Sequence, residues 1–158
     1  TLGLLGKPLM FEPGRWLAGP AGVLLASVIL EKRDASHRFV ILDAAMNDLV
    51  RPSMYGAHHD IVPVAEPPVA SPTQEFDVVG PVCETGDTFA KGRDLPLVTE
   101  GDLVAFRGAG AYGAVMASEY NTRPLIPEVL VNGDQFAVIR ARPSFDEILN
   151  RDTIPEWL

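Results

Sequence analysis

Short apolar runs separated by glycine, proline and polar clusters dominate the pattern along this chain. Runs rich in Val, Ile, Leu and Phe fall at residues 23–32, 39–44, 76–82, 103–107, 128–131 and 135–141. Each has the length of a strand and is bounded by turn-forming residues, which predicts β-structure. Between the last two runs stands Asn132-Gly133-Asp134, where Asn-Gly supplies the positive φ angles that a tight hairpin requires. Residues 61–73 carry Pro63, Pro67, Pro68 and Pro72 among Ala, Glu and Ser, so they read as an extended surface connection rather than a central strand. Near the end, Ser144 is followed three residues later by Glu147, the signature of a capping box, and Phe145, Ile148 and Leu149 give the helical turn behind it an apolar face. The expectation is a mostly β domain, an antiparallel barrel or sandwich over residues 23–140, with helix confined to the region of residues 47–55 and the C-terminal end.

Composition narrows the class. A chain of 158 residues with 47% apolar content is long enough for one compact domain with a core. Its longest largely apolar run, residues 21–30, is too short to cross a bilayer, and no basic leader with a small-residue cleavage site precedes it. A soluble protein is expected. The lone Cys83 excludes an internal disulfide framework and an all-cysteine zinc site, and it fits a reducing cytoplasm. A net charge of −8 disfavours nucleic acid or an anionic membrane as partner, because counterion release needs clustered Lys and Arg in surplus. The chain opens at Thr1 on a mostly apolar stretch, residues 2–10, as a chain cut inside a larger fold would, or equally one with a processed terminus or a tag.

Four clusters could carry chemistry. Glu12-Pro13-Gly14-Arg15 follows an apolar run, residues 9–11, that could end a strand. Glycine there lets backbone N–H groups approach an anion, and Arg can grip phosphate or carboxylate, although Pro-Gly is first of all a turn signal. Arg51 and Tyr55, four residues apart, share one side of a helical turn and could hold a carboxylate, or could be a surface Arg laid over a partly buried Tyr. The adjacent His58 and His59 do not share a face and have no partner at metal-ligand spacing, so no metal is expected. Cys83 follows Gly80-Pro81-Val82 at a strand-to-loop edge, where a thiol can move a proton and Glu84 can bind an ammonium; a lone cysteine is also a common inert small residue. In Gly108-Ala109-Gly110-Ala111-Tyr112-Gly113-Ala114, small residues surround one aromatic. That run admits close approach of a ligand with a Tyr hydroxyl on its phosphate, or equally a tight corner of a barrel.

The order and flanks of these clusters resemble the diaminopimelate decarboxylases of the fold-type III pyridoxal-phosphate group, which also holds the ornithine and arginine decarboxylases. The resemblance runs over residues 9–120 and 124–140. It is carried by Glu12-Pro13-Gly14-Arg15, Asp43-Ala44-Ala45-Met46-Asn47-Asp48-Leu49-Val50-Arg51-Pro52 with Tyr55, Gly80-Pro81-Val82-Cys83-Glu84 with Asp87, Gly110-Ala111-Tyr112-Gly113-Ala114 with Met116, and Tyr120-Asn121-Thr122-Arg123-Pro124. Two departures are small: Leu125 stands where the family often has a further basic residue, and Ala45 replaces a common glycine.

The resemblance implies a C-terminal β-domain of the alanine-racemase and decarboxylase type, residues 22–158, preceded in residues 1–21 by the end of an N-terminal (β/α)8 barrel. The barrel itself, with the Schiff-base lysine, is absent: Lys7, Lys32 and Lys91 are the lysines present, and none stands in the cofactor lysine's setting. It further implies pyridoxal 5'-phosphate as cofactor, conversion of meso-diaminopimelate to L-lysine and carbon dioxide in lysine biosynthesis, and a cytoplasmic homodimer with shared active sites. Glu12 to Arg15 would lie at the last barrel strand, with Gly14 at the cofactor phosphate and Arg15 reaching the substrate. Arg51 and Tyr55 would hold the distal end of diaminopimelate. Cys83 would protonate the substrate carbon after carbon dioxide leaves and Glu84 would bind the distal ammonium, both projecting into the partner subunit's site, while Tyr112 would contact phosphate and substrate in its own subunit. Two other readings remain: a non-catalytic homologue that dimerises with and regulates a decarboxylase, and a decarboxylase of another basic amino acid or a carboxylated polyamine.

Overall fold

The computed structural model describes residue 6 and residues 8–158; Lys7 and part of the apolar stretch at residues 2–10 lie outside the described residues. A helix, α1 (Gly14–Ala18), and a single 3-10 turn, Gly19–Ala21, lead into the first strand, β1 (Val23–Arg33). The run at residues 9–11 is exposed and forms no strand; among the described residues no strand pairs with it.

Alternation sets the sheet. Leu24, Ala26 and Val28 of β1 point inward and are buried, while Val23 and Leu25, on the other face, are exposed. The same period places Val40 and Leu42 of β2 (Arg38–Leu42), Phe76 and Val78 of β4 (Thr73–Val79), and Val104 and Phe106 of β6 (Leu103–Arg107) in one core. With β3 (Ile61–Pro63) and β5 (Thr88–Pro96) these strands form a six-stranded sheet in the order β3-β6-β1-β2-β4-β5. Every pairing in it is antiparallel except β2 with β4, which run parallel. The sheet curls toward closure at its two edges: Arg93 of β5 donates from Nη1 to the carbonyl of His59, just ahead of β3, at 2.9 Å, and the rings of Phe89 and Phe106 meet at 4.7 Å. This is the expected mostly β, largely antiparallel domain.

Two strands were not read from sequence. The first three residues of the proline-rich segment 61–73 pair with β6 as β3, which is tolerable because the strand is short and lies at the sheet edge, where Pro63 forfeits little. In β5 the apolar pattern is broken by Lys91-Gly92-Arg93-Asp94, and Gly92 adopts φ +56 opposite a register shift in β4. Elsewhere the boundaries moved by a few residues; β4 starts at Thr73 and stops at Val79, ahead of Gly80-Pro81.

A separate hairpin, β7 (Glu128–Asn132) and β8 (Gln135–Arg140), turns through Gly133-Asp134. Of the predicted Asn-Gly pair only Gly133 takes positive φ, +62. The last helix, α3 (Phe145–Leu149), is capped as expected: Ser144 Oγ accepts from Glu147 N–H, and the Glu147 carboxylate accepts from Ser144 N–H at 2.7 Å. Among the described residues no helix is long and apolar enough to cross a membrane.

Candidate functional site

The loops at one end of the sheet bring together most of the residues singled out from sequence. The run Asp43 to Val50 leaves β2 as irregular turns held by two carboxylates, the buried Asp48 and the exposed Asp43. Asp48 Oδ2 accepts from Ala45 N–H at 2.8 Å, and Asp43 Oδ1 accepts from Ser27 N–H at 2.8 Å. Arg123 braces this run from a distant segment, donating to the Asp43 carbonyl at 2.5 Å and lying 3.8 Å from Asp48 Oδ2. Burial pushes the Asp48 carboxyl above its ordinary value, against the opposing pull of the Ala45 N–H and the Arg123 guanidinium.

These turns deliver α2 (Arg51–Tyr55), one helical turn with Pro52 near its start and Gly56 in the left-handed conformation closing it. The four-residue spacing acts as expected: the Arg51 guanidinium lies over the Tyr55 ring at 5.2 Å. It also lies over the Tyr112 ring at 5.2 Å, so one half-buried Arg is flanked by two aromatic faces from separate motifs. Tyr112 itself sits at φ +59, a conformation an L-residue adopts at a cost of order 1–3 kcal/mol and keeps only where its surroundings impose it.

The small residues around Tyr112 do not line open space. A Cβ on Gly110 would lie 2.1 Å from the Ala18 carbonyl oxygen, and one on Gly22 would lie 2.6 Å from Gly110 Cα. Gly110 N–H donates to the Gly19 carbonyl and Ala109 N–H to that of Gly22. Of the two readings of this run, the tight corner describes its glycines, and Tyr112 projects from that corner.

Cys83 and Glu84 are exposed on the loop between β4 and β5. Tyr120 donates from its hydroxyl to Glu84 Oε2 at 3.5 Å, and the two border a cavity of about 220 Å³ with Met46, Asn47, Val50 and Ser118. Asn47 is buried and donates from Nδ2 to the Ser118 carbonyl at 3.0 Å, which ties the Tyr120 segment to the turns ahead of α2. Glu12, Pro13, Gly14 and Arg15 are exposed at the start of α1, and a Cβ on Gly14 would meet nothing within 4 Å. His58 and His59 are otherwise engaged: His58 faces Arg93 and Asp60, and His59 Nδ1 lies 2.9 Å from the Arg107 carbonyl. Lys32 and Lys91 are exposed on β1 and β5, outside the site segments.

Reasoning from sequence gave no role to Asp87, Asn47, Asp48, Arg123 or Tyr120. Their signal was present only as membership in motifs; what they hold depends on contacts between segments far apart in the chain.

Residues 16–110 match the family described as pyridoxal-dependent decarboxylase, C-terminal sheet domain. The chain is 53% identical over 150 residues to the diaminopimelate decarboxylase of Zymomonas mobilis, covering 95% of this chain and 35% of that protein. Among solved structures, diaminopimelate decarboxylase from Helicobacter pylori complexed with L-lysine superposes with a TM-score of 0.81 at 42% identity, over 89% of this chain and 34% of that one. The enzyme from M. jannaschii in co-complex with L-lysine gives 0.85 at 34% identity, over 92% and 33%. The chain thus spans about a third of the length of the relatives it matches. With more than half of the chain matched, the chain belongs to the pyridoxal-dependent decarboxylase family, as its C-terminal sheet domain.

Proposed function

We propose that this chain supplies the β-domain part of the active site of a decarboxylase that converts meso-diaminopimelate to L-lysine and carbon dioxide, in the cytoplasm and as a homodimer with shared sites. Residues 22–158 are the β-domain in this reading, and residues 1–21 continue from an N-terminal (β/α)8 barrel. The observation that carries it is the meeting of Arg51 with Tyr55 and Tyr112, at a helix that the loop of Cys83 and Glu84 packs against through Gly86, where a Cβ would lie 2.6 Å from Ser53 Oγ. A substrate with an amino-acid head at each end needs a cation for its distal carboxylate and an anion for its distal ammonium, and Arg51 and Glu84 offer that pair.

The residues present fit the phosphate end of pyridoxal phosphate: Gly14 leaves open space at its Cα, and exposed Arg15 and Tyr112 can donate to phosphate oxygens. Among the described residues none supplies the amine that holds the aldehyde, since Lys32 and Lys91 stand on β1 and β5. When bound, the cofactor withdraws the electron pair released as carbon dioxide departs. In this reading Glu12 and Pro13 shape the turn that presents Gly14 and Arg15, and Arg15 and Tyr112 orient the reacting end. Arg51, Tyr55 and Glu84 hold the distal end, and the Cys83 Sγ–H delivers one proton to the substrate carbon.

The test is a substrate panel on the longer protein that the relatives imply, alongside this chain alone. The longer protein is expected to release carbon dioxide from meso-diaminopimelate in preference to ornithine, arginine or a carboxylated polyamine. Its Cys83→Ala variant is expected to lose about 100- to 10,000-fold in kcat while keeping its cofactor absorbance. This chain alone is expected to be inactive and to keep no lysine-bound cofactor band after dialysis. Turnover by the isolated chain, or wild-type kcat in Cys83→Ala, would overturn the reading.

A further inference from the structure

Cys83 and Glu84 sit on a loop without regular structure, and both are exposed, so their placement must come from whatever anchors that loop. The anchor is Asp87, which is 2% exposed. Its Oδ2 accepts from Val82 N–H at 2.7 Å, and its Oδ1 accepts from Met46 N–H at 2.6 Å, across 41 residues of sequence. The loop closes on itself as well: Asp87 N–H donates to the Glu84 carbonyl at 2.9 Å, and Gly80 N–H donates to the Asp87 carbonyl at 2.9 Å.

The neighbours are shaped to this carboxylate. A Cβ on Gly80 would lie 2.3 Å from both Asp87 oxygens, so position 80 carries no side chain where the carboxylate sits. On the far side of the loop, a Cβ on Gly86 would lie 2.6 Å from Ser53 Oγ and 3.4 Å from Met46 Cε, which packs the loop against α2 and the turn before it. Other aspartates in turns behave differently. Asp34 accepts from Ser36 and His37, and Asp102 from Thr99, each within three residues and at the surface. Closing a turn therefore needs no burial. Asp87 bears the desolvation cost, which pushes its carboxyl up, and spans two segments rather than one.

We propose that Asp87 is a positioning residue of the site: by joining Val82 to Met46, its carboxylate sets the Cys83–Glu84 loop against the turn that leads into the Arg51 helix. The proposal rests on the reading of Cys83, Glu84 and Arg51 given above. Misplacement of a reacting group by about 1 Å can cost on the order of 100-fold.

The test uses the longer protein and four variants. Asp87→Asn keeps the shape but turns an amide NH2 toward one of the two N–H donors. Gly80→Ala displaces the carboxylate without removing its charge. Both are expected to lower kcat/KM by about 10- to 100-fold, with a raised KM from Glu84 and a lowered kcat from Cys83, while cofactor absorbance per folded molecule is unchanged. Cys83→Ala and Glu84→Gln run beside them. If those two behave as wild type, the site reading fails and the proposal falls with it. If they are impaired while Asp87→Asn and Gly80→Ala keep wild-type kcat and KM per cofactor-loaded site, the positioning role alone is overturned. Hydrogen exchange on the wild-type protein covers the case of variants that do not fold. The Met46 and Val82 amides are expected to be protected, and exchange at free-loop rates would sink the proposal.

Discussion

The six-stranded sheet and the hairpin β7–β8 are both built from apolar β-strands, yet they stand in opposite relation to a core. In the sheet, alternate residues of β1, β2, β4 and β6 are buried against one another, with Phe106 at 0% exposure. In the hairpin, ten of the eleven strand residues are exposed and none is buried, and Phe136 is 77% exposed. The sheet is held by burial of side chains from distant parts of the chain, the hairpin by its own ladder and turn. A two-stranded ladder alone is only marginally stable in water. The difference teaches that correct local pairing and tertiary stabilisation are separable: the most legible turn in the sequence, around Gly133, belongs to the region that contributes least to the core. The loops bearing Arg51, Cys83, Glu84 and Tyr112 belong to the sheet side, where a rigid base can hold them.

That contrast can be broken by mutation. Phe106→Ala removes a fully buried ring that packs on Phe89 and is expected to destabilise this chain by about 3–5 kcal/mol. Phe136→Ala, in the hairpin, is expected to change thermal stability by less than about 0.5 kcal/mol. Equal losses in thermal or denaturant melts of the two variants would show that the hairpin shares the core after all. A smaller effect sharpens the same point. Gly133→Ala forces an L-residue to φ +62, at a local cost of about 1–2 kcal/mol. Faster amide exchange confined to β7 and β8 is expected, with the melting of the sheet unchanged; a matching drop in the main transition would contradict it.

The smallest effect concerns the buried carboxylates beneath the site. Asp48 has its pKa raised by burial, so between its native and unfolded values the native state binds more protons than the unfolded chain. Its contribution to stability therefore grows as pH falls from neutral through the raised native value, and is complete below the unfolded value. Asp48→Asn removes that gain. The difference in melting temperature between wild type and Asp48→Asn is expected to widen in favour of wild type as pH is lowered from about 7 toward about 4; a constant or narrowing difference would rule this account out. Glu147 has the opposite sign, since its bonds from Ser144 depress its pKa and are lost as pH falls through that depressed value.

How much could be read in advance varied with the range of the interaction. The capping box at Ser144 and Glu147, the Arg51–Tyr55 turn and the hairpin turn all depend on residues within four positions of each other, and each formed, the hairpin turning one residue later than Asn132-Gly133, through Gly133-Asp134. β3 and β5 escaped because their pairing overrides a poor local pattern: Pro63 in one, and Lys91-Gly92-Arg93-Asp94 in the other. The left-handed backbone at Tyr112 and Thr122 had no local signal either, since neither residue type favours positive φ, unlike Asn121 beside the latter.

The sequence by itself determined the class of domain, the candidate residues Cys83, Glu84, Arg51, Tyr55 and Tyr112, and the motifs that placed the chain in its family. Alternation, spacing and side-chain chemistry are written one residue at a time, so they survive without the fold. Only the tertiary structure decided that Arg51 lies between Tyr55 and Tyr112, that Arg123 braces Asp43, and that Asp87 ties Val82 to Met46. Each of these joins segments far apart in the chain. Such contacts follow from the strand order β3-β6-β1-β2-β4-β5 and the bulges within it, which arise from the collective burial of one core rather than from any local run of residues.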